Sequence, residues 1–230
     1  MKRIMSAVFI ILGVLLIFSS FISTKIVDQV NNTGQKVFVE TTVEEIKENE
    51  KREAVFDFDA IRDVEITSSI IGAINFDSKA VIGQIIIDDL DMNLPVLKGV
   101  TNSNLLAGAT TMVKEQEMGK GNYPLAGHYM KDKGKLFGGL LDIELDTIVL
   151  LVDKEMVYEY TIYDKVIVDE TDFYMIDQQQ SKKRGVPIVS LMSCYYTSKN
   201  GKRFFALGEL TNEYPYAELR EKKEKPIQVY

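Results

Sequence analysis

The chain has 230 residues, 46% of them hydrophobic and 10% aromatic, enough to bury one substantial core with appendages. A formal charge of -7 and an isoelectric point near 5.0 leave no basic stripe of the kind that displaces counterions from phosphates, which excludes nucleic acid as a partner. One cysteine, Cys194, excludes an internal disulfide, and an odd cysteine outside a cell is an intermolecular link, a packed thiol or a working one.

In chain order, Lys2 and Arg3 precede Ile4 to Thr24, a run of 21 residues without a charge. As a helix rising about 1.5 Å per residue, that run matches a hydrocarbon core of ~30 Å. It ends in FSSFIST, a poor signal-peptidase site. Residues 4–24 are therefore expected to remain as a transmembrane signal-anchor. Residues 1–3 form its cytoplasmic tip, and everything after Lys25 lies outside the cell, because basic residues stay in the cytoplasm. Residues 25–65 are polar and acidic, with alternating charges in VEEIKENEKRE. They are expected to be a linker or stalk, although Val43, Ile46 and Val55 would also suit a short amphipathic helix packed on the domain.

Residues 66–213 alternate short apolar stretches with Gly, Pro, Asn and Asp, and the stretches AVIGQIIID, MNLPVLKG, NYPLAGHY, TIVLLV, MVYEYTIY, KVIVDE, VPIVSLMSC and RFFALGEL read as strands. The expected class is all-β, a barrel or sandwich, with short helices at SNLLAGAT and KLFGGLLDI. Residues 214–230 are charged and broken by Pro, a surface-attached or disordered tail.

The sole histidine, His128, and the sole cysteine, Cys194, both fall at predicted strand ends, and Arg203 opens the strand that follows. Each alone reads as structure: a packed thiol, an incidental histidine, a solvated arginine. Together they are a chemical kit. A thiolate is the nucleophile and is favoured by a nearby cation. An imidazole returns a proton to a leaving amine, and a guanidinium, which does not deprotonate, holds a carbonyl or oxyanion. The kit fits acyl transfer.

LAGHYM, followed 66 residues later by SLMSC and then by RFFALGEL, resembles the sortases, membrane-anchored cysteine transpeptidases of Gram-positive bacteria. NLPVLKG, NLLAGATTM and MGKGNYPLAGH bring the likeness to the housekeeping class A group. The likeness covers about Ser69 to Leu210. It implies a closed barrel of about eight strands with the site at one end, Cys194 as nucleophile, His128 as general acid/base and Arg203 as the residue holding substrate or oxyanion. His before Cys argues against papain-like enzymes and cell-wall amidases, where the order is reversed. Ser190 and Ser193 replace the two threonines of the family pattern, and Tyr195 replaces an acidic residue that often follows the cysteine.

The resemblance implies cleavage of an LPXTG-type sorting signal between Thr and Gly through a thioester, then transfer of the secreted protein to the amine of a peptidoglycan precursor, lipid II. Ala126, Ser190, Met192 and Ser193, with the 166–176 connection, are the expected substrate-binding residues. Some class A relatives bind calcium before the histidine segment. Glu115 and Glu117 are acidic here, but Lys120 follows, so no required calcium is expected, and no cofactor. Asp88 to Asp91 reads as a solvated turn. The alternative function is a membrane-tethered, non-catalytic binding protein on a degenerate fold of this kind. A pilus-polymerising member would carry an N-terminal lid and often a second membrane span, and neither is legible in the sequence.

Overall fold

A computed structural model describes residues 2–224, except for the side chains of residues 2–4, 6–20, 66 and 222–224. Eight strands close into one barrel: β1 Val81–Ile87, β2 Met92–Leu97, β3 Ala109–Thr111, β4 Asn122–Ala126, β5 Ile148–Val152, β6 Met156–Asp169, β7 Ile188–Cys194 and β8 Lys202–Pro215. Their order around the barrel is β1-β2-β3-β4-β7-β8-β6-β5. β2 pairs with β3, and β4 with β7, in parallel; the other neighbours are antiparallel.

The strands form where the sequence alternates or stays apolar. β1 and β7 are buried along their whole length, both faces of each being covered. MVYEYTIY and KVIVDE, expected as two strands, are one strand of 14 residues. It pairs with β8 from Met156 opposite Pro215 to Asp169 opposite Lys202, with irregularities at Glu159/Tyr160 and Ile162/Asp164. A bulge of this kind bends a long strand without ending it, and it leaves no punctuating Gly or Pro to read. The expected helix at SNLLAGAT is a single helix over Asn102–Ala107 that gives way to β3, while KLFGGLLDI contains only a short turn of 3-10 helix at Leu140–Asp142.

The N-terminal third differs most from expectation. A helix, α1, runs from Lys2 to Glu40, followed by α2 Val43–Lys51 and α3 Ile66–Ile74; Asn102–Ala107 is α4. Residues 25–65, read as a stalk, lie on the barrel. In α1 the buried residues are Ser23, Val27, Val30, Gly34 and Phe38, one stripe at helical spacing. Asn31 Nδ2 and Gln35 Nε2 donate to the carbonyls of Ala107 and Asn93 at 2.6 and 2.7 Å. Thr42 and Glu45 close a capping box at the start of α2. Ile46 is buried, and Asn49 donates to the Val81 carbonyl at 3.0 Å. The stripe was hidden because polar residues outnumber it in the same turns.

Gln179–Arg184, before β7, is α5, and Tyr216–Glu224 of the expected tail is α6, which follows β8 and buries Leu219. The transmembrane reading of residues 4–24 falls largely on side chains outside the described residues. Among the described residues no helix is long and apolar enough to cross a membrane.

Candidate active site

The barrel register brings the three expected residues to one end. β4 and β7 run parallel with Ala126 opposite Met192, so two residues further on His128 and Cys194 stand level. The Gly127 N–H holds that alignment by donating to the Met192 carbonyl at 3.0 Å. Glycine is needed there because a side chain would strike the Phe137 ring, about 2.5 to 2.7 Å from an ideal Cβ. β7 and β8 are antiparallel with Cys194 directly opposite Arg203. Thiol, imidazole and guanidinium thus converge from residues 66 and 9 positions apart in the chain.

Strand alternation sorts the remaining candidates. Ser190, Met192 and Cys194 share one face of β7, whereas Leu191 and Ser193 take the other. Met192 lines a cleft of about 490 Å³ with Met112, Phe173, Ile176, Arg203 and Phe205. Residues 169–173 of the expected 166–176 wall line it as well. Ala126 does not reach the cleft but is buried in the same apolar cluster as Met112, Met192 and Cys194.

Two expectations are corrected. Ser193 faces away from the cleft, paired with Phe204 and fully buried, and its hydroxyl donates only to the Cys194 carbonyl at 3.3 Å. Ser190 lies beneath the β6–β7 connection and donates to Asn122 Oδ1 at 2.8 Å. Asn122 in turn donates to the carbonyls of Met175 and Asp177, both at 3.1 Å. Ser190 therefore supports the wall of the cleft and does not line it.

The site also has a cover that the sequence did not reveal. Residues 57–63 cross its mouth. The Ile61 carbonyl lies 3.9 Å from Cys194 Sγ and 3.4 Å from Arg203 Nη2, so a peptide carbonyl of the chain itself sits between nucleophile and guanidinium. Asp63 fastens the segment, accepting from Thr197 Oγ1 and the Ser198 N–H at 2.7 Å each, while its own N–H donates to Ser198 Oγ at 3.2 Å. Phe58 meets Phe173 edge-on with ring centroids 5.8 Å apart. Arg203 also pairs with Glu170 at 2.8 Å. On the far side of the segment, Asp63, Tyr129, Tyr196 and Thr197 line a second cleft of about 820 Å³. Neither cleft reaches Cys194 or His128. The contacts that Ile61 and Asp63 make with Cys194, Arg203 and Thr197 span 133 to 142 positions, beyond any local pattern in the sequence.

Under this cover both groups are neutral. Cys194 and His128 are 1% and 2% exposed. Burial pushes the thiol up to about 11 against the pull of Arg203, and Asp63 and Glu170 push it the same way as burial. Burial takes His128 down to about 4, opposed by the Asp63 carboxylate and the Arg62 backbone. Neither imidazole nitrogen has a hydrogen-bond partner, an uncommon state for a buried polar group. Among the described residues no group of three or more His, Cys, Asp or Glu could hold a metal ion.

Comparison with known proteins shows the family. The family description "Sortase domain" matches residues 85–211. Sortase A of Listeria monocytogenes is 40% identical over 210 residues, 91% of either chain, and sortase A of Bacillus anthracis is 37% identical over 59% of this chain and 62% of its own. The Listeria sortase A crystal structure superposes with a TM-score of 0.57 over 63% of this chain and 96% of its own. The chain belongs to the sortase family, the cysteine transpeptidases, and its 40% identity to a sortase A over nine-tenths of its length places it with class A.

Proposed function

We propose that Cys194, His128 and Arg203 carry out the sortase reaction on an LPXTG-type signal. The observation that carries this reading is the Ile61 carbonyl held between Cys194 Sγ and Arg203 Nη2, where a scissile carbonyl would be placed for attack. A sorting signal displaces residues 57–63 and lays its apolar residues along Met112, Met192 and Phe205. Water returns to the thiol and imidazole, and the two values move toward each other, as the loss of burial requires. The Cys194 thiolate attacks the Thr carbonyl carbon, and Arg203 donates to the oxygen as it becomes an anion. The C–N bond to Gly breaks, and protonated His128 gives its proton to the departing nitrogen.

An amine of the lipid-linked peptidoglycan precursor then attacks the thioester, His128 takes its proton, and the new amide leaves Cys194 free. The incoming amine needs the same imidazole as the departing one, so the cleft beside Tyr129 and Tyr196 is its path. In this reading residues 4–24 anchor the chain in the cell membrane with the catalytic domain outside. Confinement of both substrates to that surface raises their effective concentration. The same reading takes no calcium, and the Lys120 ammonium 2.6 Å from Glu117 supports it.

The full chain in detergent, incubated with a Leu-Pro-x-Thr-Gly peptide library and a small amine, tests the reading by mass spectrometry. A thioester on Cys194 and amine-capped peptides, both lost in Cys194→Ala, are expected. Their absence with every peptide and with added calcium would leave a non-catalytic binding protein.

A further inference from the structure

Helix α3 is built the wrong way round for a helix that faces water. Its inward residues are small: Ser69 is fully buried with its hydroxyl on the Glu65 carbonyl, and Gly72 is buried where a side chain would strike Leu106 and Asn102 of α4. Its outward residues are large and apolar, with Ile70 45%, Ile71 58% and Ile74 77% exposed. A helix stabilised only by the barrel would turn those isoleucines inward. The segment Ile66–Ile74 contains no charged residue.

The position of this face on α1 identifies what covers it. α3 borders a shallow groove with Ile26, Gln29, Val30 and Thr33 of α1. These residues begin two positions beyond Thr24, where the uncharged run ends, and α1 is one helix from Lys2 to Glu40. At about 1.5 Å per residue the groove stands roughly 3 to 13 Å above the end of that run. The headgroup layer on each side of a bilayer is roughly 5 to 8 Å deep, and amphipathic helices in this zone bury their apolar face about 5 to 10 Å into it. Phe21, 61% exposed, with Lys25 over its ring at 5.5 Å, stands about one helical turn nearer the uncharged run, where an interfacial aromatic would mark its outer end.

Resting on the reading of residues 4–24 as a membrane anchor, we propose that α3 is a second membrane contact: Ile70, Ile71 and Ile74 enter the outer leaflet beside the anchor and fix how the barrel stands on the membrane. A charge-free contact of this kind takes the acyl and glycerol region of any phospholipid. It is therefore indifferent to anionic headgroups and to salt. Two points of attachment prevent rotation about α1 and hold the catalytic end at one height and azimuth over the surface.

The test uses the full chain carrying Cys194→Ala, reconstituted in phosphatidylcholine vesicles, with one nitroxide at a time on Ile71→Cys, Ile74→Cys, Val14→Cys or Lys183→Cys. Relaxation by oxygen, which concentrates in the acyl region, is compared with relaxation by a water-soluble nickel chelate. Positions 71 and 74 are expected to give an oxygen-to-nickel ratio several-fold above that at 183, unchanged at 0.5 M salt and with added phosphatidylglycerol. A ratio at 71 and 74 equal to that at 183, with 14 still oxygen-dominated, overturns the second contact alone. The same result with 14 nickel-dominated overturns the anchor as well. Spin–spin broadening at 71 and 74 that vanishes on dilution in lipid would show that a second copy covers the face, and would also overturn the proposal.

Discussion

The cover formed by residues 57–63 implies that Cys194 reacts only as often as the segment lifts. Asp63 is its fastening, with two hydrogen bonds of 2.7 Å from Thr197 and Ser198. Hydrogen bonds to a charged group are worth about 1.5 to 3 kcal/mol each, and partial exposure of Asp63 reduces this to ~1 kcal/mol each through solvent screening. Asp63→Ala therefore costs the closed state ~2 kcal/mol, about 30-fold in the opening equilibrium at about 1.4 kcal/mol per factor of ten. Thr197→Val removes one bond, ~1 kcal/mol or roughly 5-fold.

The assay is alkylation of Cys194 by iodoacetamide at pH 7.5. When reclosing outruns alkylation, the observed rate follows the open population. Losing the Asp63 charge also lowers the thiol value, because that carboxylate raises it, so Asp63→Ala gains rate from two sources. Thr197→Val leaves the charge in place and isolates the fastening. Acceleration in Asp63→Ala with none in Thr197→Val would refute the latch and leave only the electrostatic effect. No acceleration in either would mean that the segment does not control access.

The remaining predictions are independent of the latch. Arg203→Lys keeps the charge but loses the planar fork, so kcat/KM for peptide cleavage is expected to fall by about 100-fold or more, the scale of losing an oxyanion donor; a rate within threefold of wild type would remove Arg203 from that role. His128 falls from an ordinary 6.5 to about 4 in the folded chain, so the unfolded state binds the extra proton between those values. Stability held above pH 6.5 is lost as the pH drops through that window, by up to about 3 kcal/mol. Urea midpoints at pH 7 and pH 4.5 should show the loss in wild type and a smaller one in His128→Gln. Asn122→Ala strips the buried bonds to Met175, Asp177 and Ser190 and is expected to cost ~2 to 4 kcal/mol. Tm should fall and KM for the sorting peptide should rise more than kcat falls; an unchanged KM would free the β6–β7 connection from any part in the cleft.

Much of this protein could be read from residues close together in the chain. Period-two alternation in MVYEYTIY and the unbroken apolar run of β5 declare strands, because a strand's faces are set by neighbours two positions apart. The reactive trio was legible because its members are rare, one His and one Cys in 230 residues, and because each stands at a strand end. The site's support was less legible. Ser190 and Ser193 differ by three positions, so alternation puts them on opposite faces. Which face meets the cleft is decided by where Met175 and Asp177 lie, some 53 to 55 positions from Asn122.

The sequence alone established that there is one acidic β domain with a long uncharged N-terminal run and a lone thiol without a disulfide partner in the chain. Only tertiary structure decided that the polar residues after that run wrap the barrel, that Ile61 and Asp63 close the site, and that thiol and imidazole rest neutral. Hydropathy records how much apolar surface a segment has, whereas these outcomes depend on which distant surface it meets and how much water that contact removes.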